Sequence, residues 1–148
     1  MEKNMQKDEM IEKKNSASIL TRITALYVDR LASSILKPMG LSLAEYKILY
    51  ICIHYPEKRI TNSFLESHFQ MSHSTAVGLL NHLEKDGWIV RKPNPDNKRE
   101  KMVVMSSKAV HNKEELIAAG KNLEDQFTAN LTKEETAEYI RLSRKIME

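Results

Sequence analysis

Apolar side chains between Ser16 and Leu36 fall on two helical stripes, Ile19, Ile23 and Leu26 on one and Leu20, Tyr27 and Leu31 on the other. The spacing predicts a helix with more than one face to bury, which a single small core cannot easily cover. Lys37-Pro38-Met39-Gly40 ends it, and Ser42 to Glu45 forms a capping-box pattern that opens a second helix running to about Tyr55, just before Pro56. Thr61 is placed to cap a short third helix carrying Phe64, Leu65 and Phe69. Ser72 caps a fourth, in which Ala76, Leu79, Leu80 and Leu83 recur at helical spacing, and Met71 with Ala76 makes a weak hydrophobic staple. Asp86-Gly87 stops it, because glycine tolerates the left-handed conformation common at helix ends.

The period then changes. Trp88-Ile89-Val90 reads as a strand and Met102 to Met105 as its return, with Lys92 to Arg99 a hydrophilic, turn-rich tip between them. The two prolines of that tip are not expected to join a central sheet ladder. Beyond the hairpin, Leu116, Gly120, Leu123 and Phe127 repeat along a long helix. Thr132 to Glu135 is a second capping box, opening a final helix with Ala137, Ile140 and Met147 on one side. Helices with apolar stripes at both chain ends, and no core left to cover, predict a helical dimer interface built from both ends. The alternative is that the last two helices pack only on each other.

Composition narrows this picture. The 148 residues suffice for one domain with a real core, or a small domain with helical extensions, and four Gly and four Pro leave little room for linkers. The first fifteen or so residues are dominated by Glu, Lys, Asn and Asp, so they are expected to fray and do not resemble a signal peptide. No apolar run approaches the roughly 18 residues of a membrane-spanning helix. A cytosolic protein with no membrane partner is expected. The single cysteine, Cys52, lies among Leu49, Ile51 and Ile53 and reads as a buried small hydrophobe that can form no internal disulfide. Five histidines, His54, His68, His73, His82 and His111, are scattered without a recognised ligand spacing, so no metal and no cofactor is expected. Catalysis finds no support either: there is no phosphate-binding Gly loop and no nucleophile with a placed base.

Charge changes the picture locally. The net charge is only +3, yet the hairpin concentrates Arg91, Lys92, Lys98, Arg99 and Lys101 against Asp96 and Glu100. Such a finger suits a minor groove, where an Arg meets concentrated negative potential while Lys residues neutralise phosphates. A solvated hairpin, charged for solubility, is the plainer alternative. The capped helix preceding it favours the first reading.

These residues resemble the MarR family of winged helix-turn-helix transcriptional regulators. Gly40-Leu41-Ser42 with Tyr46 and Leu49 is similar to the family's entry to its second helix. Ser72 to Thr75, Leu83-Glu84-Lys85-Asp86-Gly87 and Arg91 are similar to its recognition helix and first wing strand, and Asn97-Lys98-Arg99 with Met105-Ser106 to its wing and the following helix start. The resemblance implies a mainly α fold with a small β-hairpin wing (α+β). In that layout a charged N-terminus (1–15) precedes an N-terminal dimerisation helix (16–40), a DNA-binding lobe (41–106) and C-terminal dimerisation helices (107–148). It implies a homodimer on a pseudo-palindromic operator in double-stranded DNA, with recognition helices about 34 Å apart, acting as a repressor by occlusion. Expected DNA contacts are Thr61, Asn62, Ser72, His73, Ser74, Thr75, Val77, Gly78, Asn81, Lys98, Arg99 and Lys101. The expected dimer interface holds Ile19, Ile23, Leu123, Phe127, Ile140 and Met147. Relatives release DNA on binding a small aromatic or anionic effector, for which Tyr27 and Tyr46 are the pocket candidates.

Departures from the family pattern carry expectations of their own. Asn97 stands where an Asp commonly precedes the wing Arg by two residues, with Asp96 displaced by one, so Arg99 is expected to lose a charged partner. Val77 and Gly78 replace polar groups on the groove-facing side, leaving base readout to His73, Ser74 and Asn81, with Val77 able to meet a thymine methyl. Gly78 reads as relaxation at an exposed site, and Ala109 stands where a helix-entry Gly is frequent. A winged helix used as a protein-interaction adaptor without operator binding, and a metal-responsive regulator, are the alternative functions.

Overall fold

The computed structural model describes residues 16–148; the charged stretch 1–15 lies outside them. The chain forms two compact units, Leu36–Lys121 and a second comprising the described residues up to Ile35 together with Asn122–Glu148. The boundaries expected at 41 and 106 both fall inside the first unit. No helix among the described residues is long and apolar enough to cross a membrane.

In the first unit, a 3-10 turn at Lys37–Met39 follows helix α1 (Ala17–Leu36), and Gly40 closes it at φ 67°, a left-handed position. Helix α2 (Leu43–His54) is capped by Ser42, whose Oγ accepts the Glu45 N–H at 3.2 Å. The predicted capping box is only half made. Glu45 is buried, and its carboxylate meets His82 Nδ1 at 2.9 Å instead of returning to the Ser42 backbone. Thr61 caps α3 (Asn62–His68) by accepting the Phe64 N–H at 3.1 Å, and Ser72 caps α4 (His73–Lys85) as expected. Gly87, at φ 80°, turns the chain into the hairpin. Ile48, Leu49, Leu65, Leu80, Leu83, Ile89 and Leu116 are among its fully buried side chains. Helices α5 (Ser107–His111) and α6 (Lys113–Phe127) follow, with Asn112 between them, and Ser106 caps α5 by accepting the Ala109 N–H at 3.1 Å.

The hairpin departs from expectation in length and in order. Strand β1 spans Ile89–Asn94 and β2 Asn97–Met105, so the loose tip is in fact a ladder closed by Pro95-Asp96. Pro93 sits within the ladder, opposite Lys101. A two-stranded sheet has only edge strands, so a residue without an N–H costs it no interior bond. Between the pairs Pro93↔Lys101 and Asn94↔Asn97, one step on β1 spans four on β2, which loops out Lys98, Arg99 and Glu100. At the base, Val103 N–H donates to the Ile60 carbonyl at 2.7 Å, adding a one-residue bridge.

In the second unit, Tyr27 of α1, Phe127 at the end of α6 and Tyr139 of α7 (Lys133–Ile146) form a row of rings, with centroids 6.5 and 6.0 Å apart. Thr132 and Glu135 make the full reciprocal capping box at the start of α7. No residue of α7 is buried, and Ile19, Ile23, Leu26, Ile140, Leu142, Ile146 and Met147 are all at least 40% exposed.

Candidate nucleic-acid interface

Helix α4 is held by one face and free on the other. Ala76, Leu80 and Leu83 are buried, while Ser74, Gly78 and Asn81, at i, i+4 and i+7, are exposed with Val77 half-buried between them. The helix therefore presents an open strip about two turns long, as readout through a major groove requires. Its N-terminus is capped. Ser72 Oγ accepts the Thr75 N–H at 3.2 Å and donates to Thr75 Oγ1 at 2.8 Å, so both hydroxyls serve the cap. His73 projects into solvent with Nδ1 3.4 Å from Glu66 Oε1 on α3. Gly78 faces open space: a Cβ added there meets no atom within 4 Å.

Strand β1 tunes the far end of the strip. Arg91 donates from its guanidinium to Asn81 Oδ1 at 2.8 Å and lies 3.7 Å from Glu84. That contact fixes the amide of Asn81 with its NH2 as the group left for an acceptor on a bound molecule. Arg91 was not among the expected contacts, since nothing in the spacing of residues 81 and 91 signals a bond across a turn.

Beside α4, a cleft of about 660 Å³ is lined by Asn62, Ser63, Glu66, His73, Arg91, Asn97, Arg99, Glu100 and Lys101. It brings together, from three elements, Asn62, His73, Arg99 and Lys101 of the expected set. Lys98 is exposed in the same looped-out stretch of β2. Thr61 is different: it is buried, and its hydroxyl accepts the cap bond and also meets the Glu100 carboxylate, so it supports the surface from beneath. The displaced acid has found another partner, with Asp96 Oδ2 2.8 Å from Arg59 Nε. Asn97 Oδ1 accepts the Arg99 backbone N–H at 3.1 Å, an Asx turn, while the Arg99 guanidinium makes no ion pair or hydrogen bond with a described residue. Charge on the wing tip is thus left for an outside anion.

Glu100 was also missed. Its Oε1 accepts from Ser63 N at 3.0 Å and Ser63 Oγ at 2.7 Å, and these bonds, the backbone one foremost, hold its carboxyl below the ordinary carboxylate value.

The other candidates fall elsewhere. Tyr46 is buried in the first unit and donates to the Leu116 carbonyl at 2.7 Å; burial, then the neighbouring Tyr50, raises its pKa and keeps it a phenol. Tyr27 belongs to the second unit, in the aromatic row. Cys52 is half-buried, and desolvation pushes its thiol up to about 11. His68 stacks on Phe64, with centroids 5.2 Å apart. Among the described residues no group of three or more His, Cys, Asp or Glu is arranged to hold a metal ion.

Helix α3, the turn, the open helix α4 and the two-stranded hairpin together define a winged helix-turn-helix lobe. Residues 41–101 match the model of the MarR family. It is 28% identical over 120 residues to the multiple antibiotic resistance protein MarR of Escherichia coli, covering 80% of this chain and 82% of that protein. It is 26% identical over 125 residues to the uncharacterized HTH-type transcriptional regulator YwoH of Bacillus subtilis, covering 84% and 89%. Among solved structures, a mutant E. coli MarR complexed with operator DNA superposes with a TM-score of 0.77 at 26% identity, over 88% of this chain and 93% of that one. The Staphylococcus aureus MepR–DNA complex shares the fold, with a TM-score of 0.78 at 17% identity over 89% and 96%.

Proposed function

We propose that this protein is a sequence-specific DNA-binding transcriptional regulator of the cytosol. It works as a homodimer on a pseudo-palindromic operator and represses by occluding it. The observation that carries the reading is the pairing of an exposed α4 strip with an unpartnered Arg99 on the adjacent wing, on a chain similar to a protein solved with operator DNA. Helix α4 enters the major groove with His73, Ser74, Val77 and Asn81 toward base edges, and Arg99 enters the neighbouring minor groove while Lys98 and Lys101 meet phosphates. The exposed apolar residues of α1 and α7 join two copies, so two weak half-site contacts add to one strong one. Release by a small aromatic or anionic effector completes the reading and requires different affinity for the free and bound forms.

The test is the salt dependence of binding to duplexes selected from genomic fragments. Affinity is expected to fall steeply between about 50 and 200 mM salt, and Arg99→Ala to lower the slope by about one unit. Salt-independent binding would indicate a protein adaptor instead. Replacing His73 by Ala is expected to change sequence preference more than affinity for random DNA.

A further inference from the structure

The wing is strapped to the lobe by contacts that the resemblance does not supply. Three residues of the segment from Arg59 to Ser63 reach the hairpin: Arg59 bonds Asp96 at the tip, Ile60 bonds Val103 at the base, and Ser63 bonds Glu100 between them. The middle contact falls in the looped-out stretch, where the sheet ladder itself gives no register to Lys98, Arg99 or Glu100. The backbone of Arg99 is held from one side by the Asn97 Asx turn and from the other by its neighbour Glu100, which is anchored through two hydrogen bonds from Ser63 of α3 and a weaker one from the Thr61 side chain. An arginine at the end of an unpaired loop would sample many directions and lose entropy on entering a groove. One whose backbone is fixed on both flanks loses less, because only its side-chain rotamers remain to be ordered.

We infer that Glu100 is a positioning residue for DNA binding: its carboxylate latches the wing to Ser63 and thereby aims Arg99. The inference rests on the proposed DNA-binding function and adds to it a residue whose charge is of the wrong sign for a phosphate contact. That sign makes the test sharp. If Glu100 acted on DNA only through its charge, Glu100→Gln would remove repulsion and tighten binding. As a latch it does the opposite, because a neutral acceptor makes weaker hydrogen bonds than a carboxylate.

Binding of a selected duplex is measured for the wild type, Glu100→Gln, Arg99→Ala and the double variant, together with hydrogen exchange at the Ser63 amide in the free protein. Glu100→Gln is expected to weaken binding about fivefold, to add no weakening in the Arg99→Ala background, and to speed Ser63 exchange. Ser63→Ala, which deletes the hydroxyl bond without changing charge, is expected to weaken binding in the same direction. Tighter binding by Glu100→Gln, equal weakening in both backgrounds, or unchanged Ser63 exchange would overturn the inference. Absence of duplex binding by the wild type would overturn the DNA-binding reading itself and this one with it, a failure recognisable because Ser63 exchange still reports the latch.

Discussion

The two units treat the same kind of residue in opposite ways. In Leu36–Lys121, Trp88 and most Leu and Ile side chains are buried to a few per cent exposure or less, Ile117 at 41% being an exception, and even Glu45 and Thr61 are enclosed. In the terminal unit, Ile23 and Ile140 stand 40% exposed and Met147 78%. The lobe buries most of its apolar pattern within one chain, whereas the terminal helices carry an equally regular pattern that is only partly covered. Exposed apolar side chains in such number are what an interaction surface needs. On the function proposed above, recognition chemistry is mounted on the lobe and association is left to the terminal unit.

The largest expected effect breaks this contrast directly. Leu80→Ala, beneath the open strip of α4, is expected to cost about 2–5 kcal/mol in denaturant unfolding, since a fully buried leucine leaves a cavity. Charge introduced as Ile23→Glu with Ile140→Glu should leave the lobe's near-ultraviolet signature intact while converting the sedimenting species from dimer to monomer. A lobe that unfolds with this change would show that the units are not separately stabilised. Next in size is Cys52. Its thiol is raised from 9.0 to about 11, so at pH 8 it holds about a hundredfold less thiolate than a free cysteine and should be alkylated correspondingly slowly. Alkylation at the free-thiol rate would contradict its burial. Gly78→Ala should raise lobe stability by about 1 kcal/mol, because the helix gains propensity and the added methyl meets open space. If DNA binding falls while stability rises, Gly78 serves close approach to the duplex instead of being a relaxed site. The smallest effect is on pH dependence. Glu100 has a depressed pKa, so its contribution is present above its ordinary value of 4.5 and is lost as pH falls through the lower folded value. Ser63 amide exchange should follow that loss.

Helix positions were legible because their signals are local. Ser72, Thr61 and Thr132 each cap the helix that follows, and Gly87 takes the left-handed turn that ends α4. The wing was harder. Proline suggested a loose tip, but two-stranded pairing has no interior strand to disrupt, so the ladder continues through Pro93. At Ser42 the sequence offered Glu45 a local role, and a buried contact with His82, 37 residues away, took precedence. The same distance separates Ser63 from Glu100. Contacts of that range arise from how α2 packs on α4 and α3 on the hairpin, which no periodicity in those segments encodes. The residues expected on the α4 surface were recoverable because helical spacing fixes which side chains share a face; Arg91, which orients Asn81, was not.

The central claim is that two copies, joined through their terminal helices, place two α4 strips and two wings on one operator. Native mass measurement of the complex formed on a duplex selected from genomic fragments tests it most directly. Two chains per duplex are predicted, falling to no stable complex for the Ile23→Glu, Ile140→Glu variant at the same concentration. One chain per duplex, or full-strength binding by that monomeric variant, would contradict the account.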